Sequence, residues 1–162
     1  MRATKKLLDR AGPPTLQDGE ESTTILGEWY ATALFWKPQV VLAVNETTLL
    51  PILMPLAPAT TLPARFPQRI TEALAAHGAP TAIIDTELRN MQEWRIAKTA
   101  NRSAVGILSD FTHLAEVYRE ADPRPSLLVL SARLATTPCS PLYGRNISPD
   151  RELAALLGSV GA

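Results

Sequence analysis

The chain of 162 residues holds a single cysteine, Cys139, so no disulfide can form within it. A lone thiol with no apolar leader in the opening "MRATKKLLDR" sets the expectation of a reducing, cytoplasmic setting. With only His77 and His113 beside that cysteine, a structural zinc site is not expected, because such sites draw on about four Cys or His ligands. Charge of one sign is also missing. Sixteen basic and sixteen acidic side chains cancel, so no global field favours nucleic acid or an anionic membrane. The most apolar run, "VVLAVNETTLLPILMPLAP", is broken by Asn45, Glu46 and three prolines. A membrane span needs roughly 20 mostly apolar residues, so none is expected. The sequence lacks a G-x-x-x-x-G-K-[ST] phosphate loop, a G-x-G-x-x-G dinucleotide loop and a G-x-S-x-G nucleophile turn. No cofactor is implied.

What remains is a chain of ordinary composition, expected to form one globular domain over 1–162. "ATKKLLDRAG" predicts a short helix stopped by Gly12, Pro13 and Pro14, and residues 13–24 read as a polar, flexible loop. "EWYATALFW" (28–36) and "VVLAV" (40–44) predict a hairpin across Lys37-Pro38-Gln39. "TLLPILMPL" (48–56) predicts a third strand that Pro51 confines to a sheet edge. A helix is expected over 63–77, with Thr61 as cap, Gly78 beyond its end and Pro67 tolerated only in a first turn. "TAIID" reads as a brief strand and "EWRIAKT" (93–99) as another. A helical part then fills 109–158. Ser109 or Asp110 caps its first helix, a second covers 126–135, and the last runs from a Ser148 cap and Pro149 to Gly158. The expected fold is α+β: a small, mainly antiparallel sheet with helices packed on one face.

One stretch draws attention as a site, "KTANRSAVG" (98–106). If a strand ends near Thr99 and a helix begins near Ala104, Ser103 caps it and its first amides point outward. Lys98 and Arg102 supply charge, Asn101 shapes the turn, and Gly106 allows close approach of backbone. A plain capped turn explains the same residues. In "VNETT", Asn45 and Glu46 offer an orienting amide and a carboxylate base, or else a turn former and a solvated charge. An ion pair from Glu46 to Lys98 or Arg102 would explain both stretches without a ligand. Trp29, Tyr30 and Trp36 suit either a core or a stacking surface. Cys139 lies between two prolines, and His113 falls off the apolar stripe of its helix.

The blocks "STTILGEWYA" (22–31), "VNETTLL" (44–50) and "KTANRSAVG", with "TPCSPL" and "PDREL" later, resemble those of an uncharacterised family of small bacterial proteins, a domain of unknown function. That family's strongest block is Lys-Thr-x-Asn-Arg-Ser-x-x-Gly, matched by Lys98, Thr99, Asn101, Arg102, Ser103 and Gly106. Where the resemblance implies Gly-Ser-Met-Asn-Asp, this chain reads Gly106-Ile107-Leu108-Ser109-Asp110. The resemblance implies no catalytic residue.

Three readings follow. The first is a non-enzymatic binding or regulatory module, using Lys98, Asn101, Arg102 and Ser103 against an anionic ligand or an acidic protein segment. Balanced charge does not favour nucleic acid. The second is an enzyme acting on a phosphorylated substrate, with Glu46 as base and Lys98 and Arg102 as phosphate clamp. The third is a dimeric, antitoxin-like partner protein presenting apolar C-terminal helices.

Overall fold

The computed structural model describes residues 1–15, 22–93, 95–99, 101–122, 124 and 126–161. Half of the expected 13–24 loop, at 16–21, and Trp94 of the expected 93–99 strand lie outside the described residues. Five strands form one sheet: β1 (Arg2–Ala3), β2 (Trp29–Leu34), β3 (Val40–Asn45), β4 (Pro51–Pro55) and β5 (Ala97–Lys98). Their order is β4-β3-β2-β1-β5. The expected hairpin is present, with Leu34 opposite Val40 and Trp29 opposite Asn45, and β4 adds antiparallel at the edge. β1 is different. It pairs parallel with both β2 and β5, which makes the sheet mixed.

Six helices accompany the sheet: α1 (Lys5–Ala11), α2 (Leu62–Ala76), α3 (Thr81–Asn90), α4 (Arg102–Ala121), α5 (Leu127–Ala135) and α6 (Pro149–Val160). The α+β class stands, but the helices occupy both faces rather than one. Side chains alternate across a strand, and here both sets are apolar. Ala31, Ala33, Val41, Ala43, Ile52 and Met54 join Leu7 of α1, Phe66 and Ile70 of α2 and Leu153 of α6 in one core. Leu34, Val40, Leu42, Val44 and Leu53 join Leu108 and Phe111 of α4 and Leu130 and Leu134 of α5 in a second. Strands apolar on both sides must be covered on both sides.

Local expectations met several corrections. "TAIID" is the first half of α3, not a strand. Its Ile83 and Glu87, four residues apart, both turn inward, and that helical spacing overrides the β-branched run. Pro67 lies inside α2, past the first turn, and is buried. Thr61 does not cap α2; its hydroxyl donates to Pro58 O and accepts from Arg65. α2 ends as expected, with Gly78 at φ +75° and bonds from Gly78 N to Ala75 O and from Ala79 N to Leu74 O. The 93–99 strand shortens to Ala97–Lys98. α6 runs through Gly158 to Val160.

The edge of β4 is closed by a side chain. Leu53 N donates to Ser131 Oγ at 2.9 Å, and that hydroxyl donates to Leu127 O at 2.7 Å within α5. Ser131→Ala leaves the buried Leu53 amide without its acceptor, and a loss of about 1–2 kcal/mol in urea unfolding is expected. An unchanged midpoint would mean that Leu53 finds another acceptor.

Candidate functional site

The geometry is best built from Asn45, the last residue of β3, which is fully buried. Its Nδ2 donates to Leu26 O at 2.9 Å and to Glu28 O at 3.2 Å. Its Oδ1 accepts from Thr47 N, Thr48 N and Thr48 Oγ1 at 2.9–3.1 Å. Short asparagine side chains hold turns in this way. Here the amide has no capacity left for a ligand, so Asn45 is a structural staple joining "STTILGEWYA" to "VNETTLL". Glu46 N adds a bond to Glu28 O at 2.9 Å. Gly27 takes φ +78°, a conformation that other residues rarely adopt; a Cβ there would make only ordinary contact, 3.5 Å from Thr47 Oγ1.

The same loop is gripped from below by a residue that the sequence did not mark. Glu87 of α3, 1% exposed, accepts from Ile25 N at 2.7 Å and Leu26 N at 3.4 Å. Burial raises its pKa from the ordinary 4.5, and the two amide bonds oppose that rise. The folded protein therefore holds a proton that the unfolded chain has already released. The associated stability is complete below the unfolded pKa and is lost as pH rises through the folded one. Urea unfolding from about pH 4 upward is expected to show native stability declining relative to Glu87→Gln. A rise relative to that variant would reverse the sign.

Beside this junction, Tyr30 of β2, Glu46, and Asn101 and Ser103 at the start of α4 line a cleft of about 200 Å³. Tyr30 O–H donates to Glu46 Oε1 at 3.2 Å. Burial raises the Tyr30 pKa, a hydrogen bond from Asn101 opposes this, and the neighbouring Glu46 carboxylate adds to it. The phenol thus stays a donor. The two sequence blocks meet through Tyr30 and not through an ion pair. Among the described residues, Glu46 bonds neither Lys98 nor Arg102.

Ser103 is not the helix cap. Asn101 Oδ1 accepts from Ala104 N at 3.1 Å, so Asn101 caps α4 and Ser103 falls in its first turn. The short asparagine can reach the amide three residues on, and this puts the cap eight residues before the expected Ser109. Gly106 consequently sits in regular helix with open space around it, and no special backbone conformation requires glycine there. Lys98, Asn101, Arg102 and Ser103 are all exposed. Among the described residues neither cation has a carboxylate partner, and the Arg102 and Ser103 amides have no acceptor. Of the three groups that the phosphate-clamp reading requires, Glu46 lines the cleft while Lys98 and Arg102 do not.

The remaining candidates fall elsewhere. Trp29 is core, edge-on to Phe66 at 5.9 Å, and Trp36 carries the Arg119 guanidinium 4.6 Å from its ring centre. Burial, with Asp110 nearby, pushes the Cys139 thiol up to about 11, which opposes a thiolate nucleophile. His113 is exposed. A larger cavity of about 480 Å³ lies by Trp29, Phe66 and Arg89, away from every residue singled out in 98–106. Of the C-terminal helices, α5 exposes Leu128 and Val129, whereas Leu153 and Leu157 of α6 face the core. No helix among the described residues is long and apolar enough to cross a membrane.

With the three blocks joined in one junction, the family match gains a physical content. The sequence fits the family described as Domain of unknown function (DUF6933) over residues 1–152. The chain belongs to that family. Neither a curated protein nor a solved structure matches it. The DUF6933 match spans the whole sheet and the Asn45 junction, and it stops inside α6.

Proposed function

We propose that the chain is a non-enzymatic binding module that takes an anionic partner at the start of α4. One observation supports this above the others. Among the described residues, Lys98 and Arg102 are exposed and have no carboxylate partner, and they stand beside two helix amides without an acceptor. Asn101 satisfies Ala104 and leaves the Arg102 and Ser103 amides outward. The first turn of a helix carries a partial positive charge, and arginine's planar fork matches a carboxylate. Neither cation lines the small cleft next to the turn, so the arrangement suits a segment laid across a surface better than an enclosed small molecule.

Among anionic partners, an acidic segment of another protein fits best. Sixteen positive charges balance sixteen negative ones, so the phosphate backbone of a duplex would meet no general field beyond this turn. The expected result is saturable binding of a fluorescent polyglutamate peptide in anisotropy, and weaker binding of single-stranded DNA with equal charge. DNA binding the more tightly would overturn the choice of partner. No binding of any polyanion would remove the site.

A further inference from the structure

A second crevice lies on the other flank of α4, where the chain passes from the short β1 into α1. β1 and β5 are adjacent and parallel. The helix after β1, α1, packs Leu7 into one core, whereas the helix after β5, α4, packs Leu108 and Phe111 into the other. Neighbouring parallel strands whose helices leave to opposite faces open a crevice beyond their carboxyl ends, a preferred place for ligands in such sheets. Here Thr4 just after β1, Lys5 and Lys6 of α1, α4 and the end of β2 line an open cleft of about 420 Å³, the size of a small-molecule site. It lies on the β2 side of β1 rather than against β5.

Its polar groups include donors that no acceptor among the described residues takes. Thr4 Oγ1 and Thr32 Oγ1 lie 2.8 Å apart, and Thr32 is 7% exposed. Two hydroxyls carry two protons, and one bond between them uses only one. The second proton has no other acceptor among the described residues, and both threonines line the cleft. Ala33 lines it as well. Thr4 N bonds Ala31 O, so the strand alternation turns the Ala33 amide toward the same edge, where β1 has ended. The carbonyl that a longer ladder would present there, Thr4 O, is taken by Leu7 N and Leu8 N. Lys5 and Lys6 stand at the rim, exposed and without a carboxylate partner among the described residues. Lys6 also lies 5.8 Å from the Phe35 ring centre. Along α4, the exposed Ser109, His113 and Glu116 follow one stripe, and Glu116 is the one carboxylate in the lining.

We infer that this α1/α4 cleft binds a small phosphorylated molecule with a hydroxylated body, the nucleotide or sugar-phosphate class. The phosphate oxygens accept from the threonine pair, the Ala33 edge and the lysines, and Leu34, Val105 and Leu108 cover the body. Glu116 and Ser109 take its hydroxyls. The site is separate from the Lys98–Arg102 turn and does not depend on it.

The test is isothermal titration of the full chain with AMP, ribose 5-phosphate, adenosine and inorganic phosphate at matched ionic strength. AMP or ribose 5-phosphate is expected to bind saturably and adenosine not at all. Binding of inorganic phosphate alone would reduce the site to an anion hole and overturn the body's role. Lys5→Glu, a surface change, and the near-isosteric Thr32→Val are each expected to weaken binding by about tenfold or more. Lys98→Glu/Arg102→Glu is expected to leave it unchanged. The inference is overturned by no heat with any phosphorylated probe up to about 10 mM, by adenosine binding as tightly as AMP, or by affinity that follows the turn variant instead.

Discussion

Asn45→Ala is expected to lower the stability of the protein by about 4 kcal/mol, the largest effect of any single polar substitution considered. The side chain is fully buried and makes five hydrogen bonds, two as donor and three as acceptor. Alanine removes all of them and adds none. Among the described residues, the Leu26 carbonyl and the Thr47 and Thr48 amides would then lose their side-chain partner at the end of β3, while the Glu28 carbonyl would keep its bond from Glu46 N. Each buried group left unpaired costs about 1–3 kcal/mol, and partial hydration of the exposed Thr47 trims the sum. For a chain of this length the unfolding midpoint should fall by roughly 10 °C. Asn45→Asp separates the two halves of the effect. It keeps the acceptor for the threonines but turns a carboxylate toward two carbonyls, so a substantial loss should persist. If alanine cost no more than a surface substitution, about 0.5 kcal/mol, Asn45 would not be the staple described here.

The second large effect has the opposite signature. Lys98→Glu/Arg102→Glu should abolish binding of an acidic peptide and leave the fold intact. Both side chains are exposed and without ion pairs among the described residues, so no folded contact is removed. Reversing two charges turns attraction into repulsion beside a helix start, and a loss of roughly hundredfold or more in affinity is expected. The unfolding midpoint should move by no more than about 2 °C. Two glutamates near the positive end of α4 offset part of any loss. The native affinity should fall with salt, since exposed charges are screened over about 10 Å at 0.1 M. Binding that survived the reversal would place the anion site elsewhere.

The two effects show why the sequence reads as it does. "VNETT" and "KTANRSAVG" attracted notice for the same reason, small polar residues beside apolar strands, yet they do different work. Asn45 is spent inside the fold, and Asn101 is spent on a helix start, while the cations next to Asn101 stay outside. Local chemistry alone does not distinguish these fates, because both asparagines use their side chains on nearby amides. The hairpin and the edge position of β4 were legible, since aromatic and β-branched runs about a turn, and a proline within a strand, act over a few residues. β1 was not. Two residues carry no periodicity, and their place between β2 and β5 is decided by pairing across the chain. With β1 hidden, the parallel half of the sheet, the two-faced core and the α1/α4 cleft were hidden too. Glu87 was missed for a related reason: its partners, the Ile25 and Leu26 amides, lie about sixty residues away in sequence.

The most direct test of the anion-binding account is an amide-resolved titration of the isotope-labelled chain with an acidic peptide, followed in a nitrogen–proton correlation spectrum. Saturable shifts are expected at the Lys98, Arg102 and Ser103 amides, with Ala104 less affected because Asn101 already occupies it. Shifts centred on Leu128 and Val129 of α5, or none at 98–103 while the peptide binds, would contradict it.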